Sequence, residues 1–157
     1  MRKCLSLLFL FLISNVFSQE NEYFIDANFD VNNRLVEIYQ TIDFTNTTSN
    51  SLNYIILNDW AHSYSNPKTP LGKRLSEDFT LNFQRSTKNQ RGFTNIIHIK
   101  SDSIILEHTR LKVNIDLVKV KLSNALKPNQ KIKKNIEYKI KIPISDFTGY
   151  GIDKENN

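Results

Sequence analysis

The chain has 157 residues, of which 24% are charged and 39% hydrophobic, and its formal net charge is +5. A chain of this length can form one domain that buries about two-thirds of its unfolded surface, and its modest basic excess does not indicate a nucleic-acid-binding protein. Cys4 is the only cysteine, so the fold must be held by packing rather than by an internal disulfide.

Residues 1–18 are predicted to be a signal peptide. Arg2 and Lys3 form a short basic start, the run over residues 5–13 is almost entirely apolar, and cleavage is expected after Ser18. The apolar run is too short for a stable anchor across a hydrocarbon core of ~30 Å. A buried N-terminal helix is disfavoured, because no capping residue or polar face is present. We therefore expect export to the periplasm or the extracellular medium.

The first half of the mature chain is predicted to be β-structure followed by one helix. Strands are predicted at 23–31, 35–44 and 52–57, with Asn32-Asn33 as a two-residue turn that tolerates positive φ. One helix is predicted from Pro70 to Gln84, because proline suits a first helical turn and apolar residues recur on one face. The residues on that face are Leu71, Leu75, Phe79 and Phe83.

Further strands are predicted at 94–99, 103–107, 113–122 and 132–142. In the third of these the alternation changes phase near Leu117, which predicts a bulge or a strand that switches sheets. In the last, Ile136, Tyr138 and Ile140 are predicted to face inward and the intervening charged residues to face solvent. The pattern as a whole predicts an antiparallel β-sandwich or curved sheet with one short helix.

The loop after the third strand contains an acid, an aromatic residue and a histidine in Asp59-Trp60-Ala61-His62. A catalytic or metal site needs convergent partners, which this short segment alone does not supply. The favoured interpretation is structural: Trp60 and Tyr64 pin the loop to the sheet through apolar burial, with their polar tips hydrogen-bonded.

Three histidines, His62, His98 and His108, are the candidate metal ligands. None has a histidine partner four residues away, and they fall on separate predicted loops and strands, so we expect no zinc site from them. Asn46-Thr47-Thr48 matches the acceptor pattern for N-glycosylation and falls in a predicted loop.

Lysines between Lys127 and Lys141 raise the question of nucleic-acid binding. Lys139 and Lys141 alternate with isoleucines, as on a solvated strand face, and lysines on edge strands discourage aggregation. Tyr138 falls on the apolar face, so no stacking platform for bases accompanies the charges. We expect no nucleic-acid partner.

Two segments carry a family resemblance. The first runs from Leu52-Asn53-Tyr54-Ile55-Ile56-Leu57 through Asn58-Asp59-Trp60-Ala61-His62-Ser63-Tyr64 to Pro70 and Leu75. The second is Ile142-Pro143 followed by Phe147-Thr148-Gly149-Tyr150-Gly151. Both resemble the N-terminal β domain of aminopeptidase N-like zinc metallopeptidases of the gluzincin family, in their secreted bacterial form, over roughly residues 23–151.

The resemblance implies that residues 19–157 are such a domain, incomplete at its C-terminal end, which covers one side of a catalytic cleft and helps to recognise a peptide's free N-terminus. In that family zinc is bound by a His-Glu-x-x-His motif, and this chain contains none. No catalytic, cofactor-binding or metal-binding residue therefore carries over. Zinc, peptide substrates and the catalytic domain belong to the full-length parent, and we expect this segment to be inactive alone. The alternative is a free-standing exported β-sandwich binding module for carbohydrate or adhesion.

Overall fold

The computed structural model describes residues 21–78 and 81–153. In this part of the chain the strands are β1 (Glu22–Asp30), β2 (Leu35–Thr45), β3 (Leu52–Asn58), β4 (Phe93–Ser101), β5 (Ile104–Ile105), β6 (His108–Arg110), β7 (Leu117–Leu126) and β8 (Lys131–Lys141). A 3₁₀ helix spans Trp60–Ser65, and one α-helix, α1, spans Pro70–Glu77. The predicted signal peptide, residues 1–18, lies outside the described residues.

The strands form two antiparallel sheets, which confirms the predicted mostly β fold with a short α-helix. The larger sheet has five strands in the order β1-β2-β8-β4-β5, and the smaller has three in the order β3-β7-β6. Within the described ranges, no helix is long and apolar enough to cross a membrane.

The main core lies where the two sheets face each other. In β7, Val118 and Val120 are completely buried while the intervening Lys119 is exposed, as period-two alternation requires. Strand β4 contributes Ile99, which is also completely buried. The core cluster contains Ile42, Ile55, Ile99, Leu106, Val118, Val120, Leu122, Leu126 and Ile136. Burial of these side chains is the main favourable contribution to folding in a domain without disulfides.

The strand predicted at 113–122 is wrong at its start, because β7 begins at Leu117. Residues 111–116 form a turn that returns from β6, closed by hydrogen bonds from the Leu111 amide to the Leu117 carbonyl (3.0 Å) and from the Leu117 amide to the Asn114 carbonyl (2.9 Å). The change of phase near Leu117 therefore marks the beginning of a strand, not a bulge. The strand predicted at 103–107 is likewise shorter, comprising only Ile104–Ile105.

The turn between β1 and β2 is longer than the predicted Asn32-Asn33 turn. Asp30 pairs with Leu35, which leaves four residues in the loop. The left-handed residue is Arg34, with φ 54°. The Asp30 carboxylate accepts hydrogen bonds from the Asn33 amide (3.1 Å) and from its side-chain Nδ2 (2.7 Å). An aspartate that bonds the backbone ahead of it stabilises this wider turn.

Helix α1 begins as predicted at Pro70 but ends at Glu77 rather than Gln84. The Thr69 hydroxyl caps its first turn by accepting the Gly72 amide at 3.0 Å. Gly72 is required there, because a Cβ would lie 2.0 Å from the Pro67 carbonyl oxygen. Phe83 is nevertheless completely buried. Phe83 is buried from a turn and not from the predicted helix. Periodicity indicates which residues are buried, but it does not determine the backbone conformation in which they lie.

The two sheets differ in width, and this leaves one edge of the larger sheet uncovered. Strand β1 lies at that edge and pairs only with β2 among the described strands. Four of its large side chains are mostly exposed: Tyr23 (60%), Phe24 (72%), Ile25 (56%) and Phe29 (64%). We call these four residues the β1 surface.

Candidate functional site

The two segments that carry the family resemblance meet in space and, together with Phe83, form an aromatic cluster. Its members are Trp60, Tyr64, Phe83, Phe147 and Tyr150. Ring centroids lie 5.0 Å apart for Trp60 and Tyr150 and 5.3 Å apart for Tyr64 and Tyr150. The Tyr64 hydroxyl is 2.6 Å from Thr148 Oγ1. Such tilted and edge-to-face contacts stabilise a cluster beyond simple burial.

Within this cluster the two predicted structural residues, Trp60 and Tyr64, have different environments. Tyr64 is completely buried and its hydroxyl is hydrogen-bonded, as expected, and burial raises its pKa. Trp60 is 50% exposed, so the expected burial of this residue is wrong. The loop turns through the 3₁₀ helix Trp60–Ser65, which places Tyr64 beneath Trp60 and leaves one side of the indole facing solvent.

A polar network connects the end of β3 to β4 and β6. The Asp59 carboxylate accepts hydrogen bonds from Thr94 Oγ1 (2.6 Å) and from Arg110 Nη2 (2.6 Å). Arg110 also donates to the Ile115 carbonyl at 2.9 Å. The Asp59 and Arg110 side chains are only 13% and 24% exposed, so this ion pair is largely desolvated. It joins the two edges of the smaller sheet, and the bonds of both side chains to Thr94 connect it to β4 of the larger sheet.

The network contains an acid, a histidine and a hydroxyl but does not have the geometry of a nucleophilic triad. Nδ1 of His62 lies 3.1 Å from the Thr94 carbonyl oxygen and 3.2 Å from its amide nitrogen, so the ring contacts Thr94 backbone and not its hydroxyl. A triad requires the base to bond the nucleophile directly. Burial, and then Arg110, lowers the pKa of His62. We conclude that the network is structural.

The other two histidines lie apart from His62 in the chain and are engaged differently. His98 Nε2 is 3.5 Å from Glu137 Oε2 on the outer side of the larger sheet. His108 shares a shallow pocket with His62 and Arg110. Across the described residues, no group of three or more histidine, cysteine, aspartate or glutamate side chains is placed to hold a metal ion.

Outer-face lysines of β8 are paired with neighbouring groups. Lys139 forms an ion pair with Glu37, and Lys133 Nζ lies 3.6 Å from Asp43 Oδ2. Lys141 donates to the Asn33 carbonyl. These positions agree with the predicted solvent-facing side of the strand.

Lys134 is an inward residue of β8 that was not among the predicted inward residues, although the strand pattern indicates it. It alternates with Ile132 and Ile136, and the inward period of β8 continues through it. The structure buries Lys134 completely, and no described atom accepts a hydrogen bond from its Nζ. Its only described partner is the Phe44 ring, whose centroid is 4.5 Å from Nζ. Burial lowers the pKa of Lys134 to about 8.

Lys134 lines a cavity of about 410 Å³ between the two sheets. The walls are mostly inward apolar side chains, among them Ile42, Ile55, Leu57, Val118, Ile136 and Ile140. Tyr23 and Trp60 also line the cavity, and because both are half exposed or more, the cavity reaches the surface.

Asn46, of the Asn46-Thr47-Thr48 pattern, is completely buried. Its Nδ2 donates to the Asn50 and Leu126 carbonyls, each at 2.8 Å, and its Oδ1 accepts from the Thr48 amide at 3.0 Å. These bonds fix the loop between β2 and β3. The loop placement is as predicted, but the buried Asn46 side chain is not accessible to glycosylation in the folded domain.

No protein-family model matches the chain, and no curated protein matches it.

Proposed function

We propose that this chain is the non-catalytic N-terminal β domain of an exported aminopeptidase N-like zinc metallopeptidase. In this proposal it packs against the catalytic domain of the same polypeptide and covers one side of the cleft that receives peptides. The observation that carries the proposal is the β1 surface, an apolar strand exposed on both faces at the edge of a packed domain.

The β1 surface has the character of an interface. Phe24 points to one face of the sheet, and Tyr23, Ile25 and Phe29 point to the other, since neighbouring residues of a strand alternate. All four are more than half exposed. Tyr23, Ile25 and Phe29 thus form an exposed apolar row on one face of the strand, and an exposed apolar surface of this kind marks a binding surface. The outer edge of β1 also offers backbone groups that pair with no described strand.

The polar groups of the domain support a structural role. Asp59, Thr94 and Arg110 satisfy one another, and the His62 ring contacts the backbone. A peptidase reaction needs an activated water or nucleophile beside an electrophilic group, and the described residues offer no such arrangement. In the proposal, zinc and the general base therefore come from the catalytic domain.

The proposal is tested with the protein from Gln19 onward and with the coding sequence beyond Asn157. The expected results are a reading frame that continues into a His-Glu-x-x-His helix, and a purified segment without stoichiometric zinc or aminopeptidase turnover. In the longer protein, backbone amides of β1 should exchange with solvent more slowly than in the segment, because the catalytic domain covers them. Zinc-dependent hydrolysis by the segment alone would contradict the proposal.

A second candidate, the exported binding module, is supported by one specific observation. Trp60 is 50% exposed and is held by Tyr64 and Tyr150, so it presents a rigid apolar face with an indole N–H. Such a face suits a sugar ring. The test is a carbohydrate-array measurement on the wild-type protein and Trp60→Ala: binding that this substitution abolishes would favour the module over the peptidase domain.

A further inference from the structure

The buried ammonium group of Lys134 has no counterion within the described structure. A lysine removed from water without a hydrogen-bonding partner is costly, and native proteins keep such groups only when something compensates them. The Phe44 ring, 4.5 Å from Nζ, offers a cation–π contact and accepts no N–H···O bond. Asp59 is the carboxylate lining the cavity, and both its oxygens are already bonded to Thr94 and Arg110.

We propose that the cavity between the two sheets binds an organic anion with an aliphatic body, of the fatty-acid class, whose carboxylate pairs with Lys134. A carboxylate would accept charge-assisted hydrogen bonds from the ammonium group and supply the missing counterion. The cavity shares Tyr23 with the β1 surface, but the ligand proposal does not rest on the peptidase proposal.

The position of Lys134 in the sheet defines where the head group would lie. Lys134 pairs with Ile42, which in turn pairs with Tyr23 of β1. The ammonium group is therefore two strands in from the exposed edge of the larger sheet. A ligand entering beside Tyr23 would reach it past Ile42, along the part of the main core that lines the cavity.

The rest of the cavity suits an aliphatic chain. Along β8, the inward side chains after Lys134 are Ile136, Tyr138 and Ile140, and all three line the cavity. Measured along the strand from Lys134 to Ile140, this row extends roughly 20 Å. The Tyr138 hydroxyl donates to Gln40 Oε1 at 2.9 Å, so it presents no unpaired hydrogen to the cavity. A mostly apolar wall with a few polar groups is the usual design of a small-molecule pocket.

Trp60 provides a direct readout, because it lines the same cavity and is the only tryptophan of the chain. The experiment is to titrate the purified protein with decanoate, below its micellar concentration, while recording Trp60 emission, and to repeat the titration with decanol. Lys134→Met removes the charge and keeps an unbranched side chain that is only one heavy atom shorter. Lys131→Met is the matched control, since Lys131 is an exposed lysine of the same strand.

The wild-type protein should bind decanoate saturably and at least about tenfold more tightly than decanol, which lacks the charge. Lys134→Met should abolish this preference, whereas Lys131→Met should retain it. Equal binding of decanoate and decanol by the wild-type protein would overturn the proposal without reference to any variant. A preference for decanoate that survives in folded Lys134→Met would overturn the assigned head-group partner.

Discussion

The covered and uncovered parts of the larger sheet are built from the same kinds of residue. Ile99, in the covered part, is completely buried between the sheets, whereas Ile25 and Phe29 of β1 are 56% and 64% exposed. All three lie in regular antiparallel strands. The difference is what lies opposite them: the three-stranded sheet covers the middle of the five-stranded one and does not extend over β1. An apolar strand pattern therefore indicates a surface that is to be covered, without specifying by which element.

The largest expected difference between the two regions is in the free energy of unfolding that is lost when one apolar side chain in each is truncated. Ile99→Ala removes a completely buried side chain and should lower the free energy of unfolding by about 2–5 kcal/mol. Phe29→Ala, on the same face of the sheet, should change it by less than about 1 kcal/mol, because the ring is mostly in water already. Urea denaturation of both variants checks this. Equal losses would mean that β1 is covered as fully as the core.

Lys134 lies between the two regions, and its titration should appear in the pH dependence of stability. Its pKa in the folded protein is about 8, below the ordinary value of 10.5, so the unfolded chain binds more protons between these values. Stability should therefore rise with pH from about 8 toward about 10, approaching roughly 3 kcal/mol in all.

The control for that measurement is Lys134→Met, which should lack the rise. The other titratable groups that line the cavity are Tyr23, Tyr138 and Asp59, and they are unchanged in the variant. Burial raises the pKa of Tyr138, so its effect has the opposite sign and begins only above about pH 10. A rise of the same size in both proteins would show that Lys134 is not its source.

Trp60 and Tyr64 form a second pair of one exposed and one buried residue, here within a single loop. Trp60→Ala should lower the free energy of unfolding by about 1–2 kcal/mol, less than the 3–5 kcal/mol typical of a fully buried aromatic residue, because half of the indole is already exposed. Tyr64→Ala should reach the larger value. Thermal or urea unfolding of the two variants measures the difference, and a larger loss for Trp60→Ala would reverse the assignment.

Period-two alternation was sufficient to predict the long strands and most of the inward residues, such as Val118 and Val120 in β7, but it placed the start of β7 too early and did not predict β6 (His108–Arg110). The same alternation, extended from Ile136 back to Ile132, identifies Lys134 as an inward residue. Alternation could not predict the bond between Asp59 and Arg110, since it depends on how β3 and β6 are brought together by β7. Alternation likewise could not predict the exposure of Trp60, because that exposure depends on the position of Tyr150, a residue far along the chain.

The most direct test of the account is whether the β1 surface drives association when the chain is isolated. The protein from Gln19 onward should self-associate with increasing concentration in light scattering, and Phe24→Lys combined with Phe29→Lys should return it to a monomer. Val113→Lys is the matched control: Val113 is 80% exposed in the turn between β6 and β7, and its replacement should leave association unchanged. A wild-type chain that remains a cooperatively unfolding monomer at all concentrations would contradict the account and favour the free-standing binding module.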